Sequence, residues 1–314
     1  MDNDILMKHV RGELPVDAVV ATVDPGAPGW KDTFRKYAPE ANGHGISPAR
    51  FRKNVPLSLQ VRLIRKNMPW IRTVHIAVAD YGHVNGEDLS GCGDVHVVRH
   101  EDFIPACDLP VFNSYAIEWR IHRIPGLSDA FIYFNDDFYP TAPSTMSDFV
   151  DAGGRTLLTM RKRLWGTERT AWDHLCRRTY EWTKKTWGDL GWPSSPCHAP
   201  RLWLVDENEE TLAVAAGIRN PPAGRFRDCG RDVDAIVAFC HATAAKHGWA
   251  LRKAEDFLYT TLRAVPAVPK AVEEWSRRKF TCVNDSGAPP SGTAYYDGAR
   301  ARLKCTFETL LNSK

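Results

Sequence analysis

At 314 residues the chain holds about two domains' worth of sequence, or one large α/β unit. Its 43% hydrophobic and 25% charged residues match an ordinary globular protein and exclude a disordered tail, a collagen-like fibre and a coiled-coil rod. A formal charge of +3, from 41 basic against 38 acidic side chains, is too balanced to point to nucleic acid, and no apolar run approaches the roughly 18 residues of a membrane span. The eight cysteines lie far apart with no Cys-x-x-Cys, and Asp2 and Asp4 precede any apolar stretch, so the expectation is a reduced, cytoplasmic protein without a secretory leader.

In chain order, residues 17–24 are a short apolar run ending in Asp24 and followed by Pro25-Gly26, the pattern of a buried parallel strand with a loop at its carboxyl end. Residues 57–68 space Leu59, Leu63 and Ile64 as an amphipathic helix closed by Pro69. Residues 73–80 and 94–100 read as further strands, and 113–124 as a helix capped by Asn113 or Ser114. Residues 129–137 form a fourth strand with two carboxylates, Asp136 and Asp137, at its end. Helices are expected over 206–216, 232–246 and 299–311.

Strands alternating with helices predict a mostly parallel, Rossmann-like α/β sheet of the nucleotide-sugar-transferase type, flanked by helices. One catalytic domain over 1–314 is expected, with the core sheet mainly in 16–160 and with 196–206 and 270–314 completing the site. Segments 161–195 and 207–265 read as helical, a candidate acceptor-side subdomain. Ligands of such sheets bind beyond the carboxyl ends of the strands, where Asp24, Asp80, His100, Glu101, Asp136 and Asp137 would gather.

The sharpest local signal is Phe134-Asn135-Asp136-Asp137-Phe138. Adjacent carboxylates closing a buried strand are costly without a positive partner. They suit Mg²⁺ or Mn²⁺, hard cations that leave room for phosphate oxygens, or a role in proton removal; a capped turn is the alternative. His198 stands between Pro196 and Pro200, which could hold its imidazole in one orientation. Arg50-Phe51-Arg52 and Arg225-Phe226-Arg227 repeat a pattern that suits phosphate recognition, with the Phe anchoring each segment in a core. The Trp-rich stretch 161–192 could stack on sugars or simply pack. The chain has no Gly-x-x-x-x-Gly-Lys, Gly-x-Gly-x-x-Gly or Gly-x-Ser-x-Gly segment, which weighs against P-loop, nicotinamide and α/β-hydrolase enzymes.

The run from Leu109-Pro110-Val111-Phe112-Asn113-Ser114 through His122-Arg123-Ile124-Pro125-Gly126 to Phe131-Ile132-Tyr133-Phe134-Asn135-Asp136-Asp137 closely resembles the Stealth proteins. The family's four blocks fall in order at 17–24, 50–137, 198–206 and 280–285. The resemblance implies transfer of a sugar 1-phosphate, GlcNAc-1-phosphate in the first instance, from a UDP-sugar to a glycan hydroxyl, with release of UMP and help from Mg²⁺ or Mn²⁺. It implies catalytic roles for Asp137, His198 and Arg227. Asp24, Arg52, Asn54, Asn113, Ser114 and Asn135 would be donor-binding, and Asp136, Asp137, Asn284 and Asp285 metal-binding. Three departures stand out: Thr22 stands at the Trp position of the first block, Tyr115 replaces a His, and 55–60 lacks the family's Glu and Arg. Competing expectations are a metal-dependent glycosyltransferase releasing UDP and a non-catalytic binder of anionic glycan or nucleic acid.

Overall fold

The computed structural model describes residues 4–40, 45–285 and 292–313. Its first half runs α1 (Asp4–Val10), β1 (Val16–Ala21), α2 (Trp30–Tyr37), α3 (Leu57–Asn67), β2 (Val74–Val78), β3 (Val95–Arg99), α4 (Ser114–Glu118), β4 (Ala130–Asn135), β5 (Phe138–Pro140) and β6 (Thr156–Leu158). There follow α5 (Ala171–Trp187), β7 (Arg201–Leu204), α6 (Val205–Ala216), α7 (Ala235–His247), β8 (Trp249–Leu251), β9 (Phe257–Thr261), α8 (Val268–Trp275), β10 (Phe280–Asn284) and α9 (Ala294–Asn312). Among the described residues no helix is long and apolar enough to cross a membrane.

The central sheet has the order β3-β2-β1-β4-β7. Its first four strands are parallel, and β7 pairs antiparallel with β4. The expected mostly parallel α/β architecture is therefore present. Strand alternation explains how both faces are covered. Val19, Phe131 and Tyr133 point into a core shared with α4, α5 and α7, while Ala18, Val20, Ile76, Ile132 and Phe134 point into one shared with α3. Chain order reverses direction across β1 and β4, which opens a crevice beyond their carboxyl ends.

A second sheet, ordered β5-β10-β9, leans against α8 and α9 through Tyr139, Trp275, Leu303 and Phe307. Only Asp136 and Asp137 separate β4 of the first sheet from β5 of the second. The tandem acids are thus the joint between the two sheets.

Several elements differ from their sequence reading. Residues 113–124 form not one helix but α4 and then a 3-10 turn at Ile121–Arg123. The Arg120 N–H bonds back to Ile117 O rather than one residue further, which tightens the chain ahead of Pro125-Gly126. The stretch 207–265 contains strands β8 and β9 besides its helices, and β8 pairs with β6. In 270–314, β10 is the middle strand of the second sheet. The Trp-rich stretch is largely packing: Trp165, Tyr180 and Trp192 stack at 5.0 and 5.7 Å between ring centroids. Its long helix α5 starts at a capping box of Thr170 and Asp173, the latter also paired with Arg161 and Arg163.

At the opposite end of the sheet from the crevice, Asp17 is fully buried and ties three strands together. Its carboxylate accepts Arg72 Nε at 2.9 Å, Arg72 Nη2 at 2.6 Å and the N–H groups of Thr73 at 3.1 Å and Ser128 at 2.8 Å. Against the cost of burial, His75, Arg72 and the Ser128 N–H hold this carboxyl well below the usual range. Its stabilisation is therefore complete above the unfolded value of about 4 and fades as pH falls below it. Asp17→Asn is expected to cost about 3 kcal/mol in urea denaturation at pH 7, with a gap to the wild type that narrows below about pH 4. A gap that stays constant down to pH 3 would contradict this account.

Candidate active site

The site begins with backbone control at the joint. Gln60 on α3 is buried and its amide donates to the carbonyls of Asn135 at 2.8 Å and Phe138 at 2.7 Å, straddling the two acids. The Tyr139 hydroxyl donates to Asp136 O at 2.8 Å, and the Val283 N–H to Asp137 O at 3.0 Å. With four carbonyls held, the acidic side chains have little freedom to move.

Asp137 lies at the centre. Its Oδ2 accepts from Asn284 Nδ2 at 3.1 Å and lies 3.7 Å from the Cys282 thiol. Its Oδ1 lies 3.3 Å from His198 Nε2, and Asn135 Nδ2 is 3.4 Å from the same ring nitrogen. The proline-flanked loop behaves as its composition suggests. Arg201 Nη2 grips the carbonyls of Cys197 and Ala199 at 2.8 and 2.7 Å, and the His198 ring rests edge-on against Phe138 at 4.5 Å. Of the tandem acids it is Asp137 that meets the imidazole, while Asp136 belongs to the lining of a cleft on the β1 side.

Around this centre negative charge accumulates. Burial and the neighbouring Asp137 push the Asp136 carboxyl up to about 8. Burial also raises Asp285, although Arg52 Nε lies 2.7 Å from it. Donor atoms of Asp137, His198 and Cys282 all lie within 4.8 Å of one another and could hold a metal ion. The carboxylate of the set suits a hard cation, and the imidazole and thiol a softer one. Burial and Asp137 raise the Cys282 thiol far above its ordinary range, which keeps it protonated. Meanwhile Asn135 Oδ1 and Asp137 Oδ1 are buried oxygens that accept no hydrogen bond of ordinary geometry among the described residues.

On the β1 side, Asp136 faces a small cleft with Thr22, Arg52, Lys53 and Asn54. Lys53 Nζ bridges Asp24 at 3.0 Å and Glu87 at 2.6 Å, and Glu87 in turn accepts the N–H groups of Leu57 and Ser58 that open α3. Against the cost of burial, the Gly26 N–H and Lys53 hold Asp24 below the usual carboxylate range. Asn54 Oδ1 accepts from the Tyr296 hydroxyl at 3.0 Å, and the Arg52 guanidinium lies 4.7 Å from the Tyr296 ring.

The two Arg-Phe-Arg segments meet through their phenylalanines. Phe51 and Phe226 enter one aromatic cluster with Trp30, Phe34 and Phe112. Arg52 then points to Asp285, while Arg227 Nη2 donates to Ser114 Oγ at 2.5 Å and its guanidinium lies 4.0 Å from the Tyr115 ring. Burial and Arg227 push the Arg50 guanidinium down to about 10. Arg225 is held by the carbonyl of Pro110 at 2.9 Å.

Not every expected residue faces the hollow. Asn113 is fully buried; it caps α4 at Tyr115 N and clamps Gly224 O and Asp232, so it shapes the loop ahead of Arg227 instead of meeting a donor. Asp285 is engaged by Arg52, and His198 and Cys282 stand beside Asp137 where Asp136 and Asp285 were expected. His100 is buried, its imidazole pushed down to about 3 by desolvation, Asp80 caps its own turn through Gly82 N, and Glu101 pairs with Arg99. These last three follow β2 and β3, to one side of the crevice between β1 and β4. Sequence reasoning missed Gln60, Lys53, Glu87 and Cys282. Cys282 had a readable signal, since a strand places it and Asn284 on one face.

Residues 50–157 match Stealth conserved region 2. The chain carries that Stealth region. It is 32% identical over 171 residues to the capsular polysaccharide phosphotransferase LcbA of Aeromonas hydrophila, an alignment covering 51% of this chain and 47% of that protein. An exopolysaccharide phosphotransferase of Streptomyces coelicolor is 34% identical over 158 residues, 49% of this chain and 26% of its own. The capsular polysaccharide phosphotransferase SacB of Neisseria meningitidis serogroup A is 33% identical over 151 residues, 48% and 27%. The match thus spans about half to a quarter of these relatives' length, and the resemblance read from the sequence to the Stealth phosphotransferases is borne out. Gln60, Asn135, Asp136 and Asp137 all lie inside the matched region.

Because Gln60 holds two carbonyls in a buried place, Gln60→Leu leaves both without a donor. The variant is expected to lose about 2 kcal/mol of stability, read as a lowered midpoint in chemical denaturation, whereas an unchanged midpoint would show that the amide does not hold the joint.

Proposed function

We propose that this Stealth-region protein is a sugar-1-phosphate transferase that moves a hexose 1-phosphate, GlcNAc-1-phosphate in the first instance, from a UDP-sugar to a hydroxyl of an acceptor glycan, leaving a phosphodiester and UMP. The observation that carries this reading is the 3.3 Å approach of His198 to Asp137 at the end of β4. It joins a proton acceptor to a carboxylate with no charge partner strong enough to balance the acids around it. The matched relatives, named capsular and exopolysaccharide phosphotransferases, support the same chemistry.

Mg²⁺ or Mn²⁺, held by Asp137 with Asn135 and Asp136 beside it, would neutralise the diphosphate and the departing nucleotide. Phosphoryl transfer asks mainly for positioning and charge neutralisation, and the chain's own residues provide both. Arg52 and Lys53 line the cleft beside Asp136 and would steer the diphosphate, while Arg227, fixed by Ser114, would face the transferred phosphate. A carboxylate engaged with a cation is a poor base, so His198 takes the proton from the acceptor hydroxyl. Arg201 and Phe138 keep that ring turned toward Asp137.

Two outcomes test this. Incubation with UDP-GlcNAc, Mg²⁺ and a glycan acceptor is expected to release UMP; release of UDP would instead indicate attack at the anomeric carbon and overturn the proposal. His198→Ala is expected to lower turnover by about 10²–10⁴-fold while nucleotide binding persists. Near-normal turnover in that variant would exclude His198 as the base.

A further inference from the structure

A second cavity opens between α4 and the loop that follows α6. Val111, Ala116, Pro222 and Ala223 form apolar walls, and Arg120 and Asp108 also line it. Arg120 is only 7% exposed. Its Nη2 lies 3.5 Å from Asp108 Oδ2, and its Nε and Nη1 meet no hydrogen-bond acceptor among the described residues. Arg225, the other cation on the lining, is already held by the Leu109 and Pro110 carbonyls.

A guanidinium so deeply buried is costly unless its charge is met. One carboxylate at the long end of ion-pair distance meets it in part. We propose that this cavity is a binding site for a monoanionic oxyacid ligand, whose charged oxygens approach Arg120 and whose carbon skeleton lies against Val111 and Pro222. Asp108 sets the charge preference. A singly charged group brings Arg120, Arg225, Asp108 and ligand to neutrality, whereas a dianion would leave an unmatched negative charge beside the Asp108 carboxylate. A phosphodiester and an aliphatic carboxylate both meet this description, while a phosphate monoester does not. The site is independent of the transfer reaction proposed above, although its lining residues Gly224 and Arg225 lead directly into Arg227.

Calorimetric titration of the full chain with dimethyl phosphate, propionate and inorganic phosphate, at a pH of about 8.5 where inorganic phosphate is a dianion, separates the possibilities. Saturable binding of dimethyl phosphate or propionate is expected, the tighter of the two identifying the phosphodiester or the carboxylate as the ligand group. Arg120→Gln should weaken that binding at least about tenfold. Ala116→Phe, which fills the cavity, should abolish it in a protein that still melts cooperatively. Asp108→Asn should improve binding of inorganic phosphate relative to the monoanions. Equal binding in wild type and Arg120→Gln, unimpaired binding in Ala116→Phe, absence of saturation by either monoanion, or a wild-type preference for inorganic phosphate would overturn the proposal.

Discussion

Two carboxylates placed side by side where a buried strand leaves its sheet impose the constraint on which the site depends. Asp136 and Asp137 have no room to separate, because β4 ends on one side of them and β5 begins on the other. Their repulsion, added to the cost of burial, shows as the raised Asp136 carboxyl. A protein can relieve such a pair with a proton, a basic side chain or a cation. Here Arg52 is committed to Asp285 and Lys53 to Asp24 and Glu87, while His198 is the basic group that meets Asp137. The arrangement favours an incoming positive charge, which the proposed function uses to receive a diphosphate.

The surrounding architecture serves that constraint. The second sheet delivers Cys282 and Asn284 to one side of Asp137, while the proline-bounded loop ahead of β7 brings His198 to the other. The aromatic cluster fixes the two Arg-Phe-Arg segments at a distance from each other in sequence but not in space. Positioning thus comes from packed elements and buried hydrogen bonds, which suits chemistry governed by orientation.

Much of this was legible in the chain. Strand alternation with acids at the carboxyl ends located the crevice, and the anchoring role assigned to Phe51 and Phe226 matches their place in the core. What stayed hidden depends on contacts distant in sequence. Gln60 reads as an ordinary polar residue of an amphipathic helix until β4 and β5 are laid beside it. Cys282 shares a strand face with Asn284, but only the pairing of β10 with β5 brings that face to Asp137. Asn113 misled in the opposite sense: a polar residue at a helix start inside a matching run suggested a ligand contact, yet capping and the clamp on Gly224 and Asp232 consume its amide.

Crystals soaked with Mn²⁺ and UDP-GlcNAc offer the most direct test of the central claim, because anomalous scattering locates the ion without reference to turnover. The account predicts an anomalous peak within coordination distance of Asp137 Oδ1, shared with diphosphate oxygens lying over the end of β4. A nucleotide bound in that crevice with no ion on either tandem aspartate, or an ion and nucleotide bound elsewhere on the protein, would contradict it.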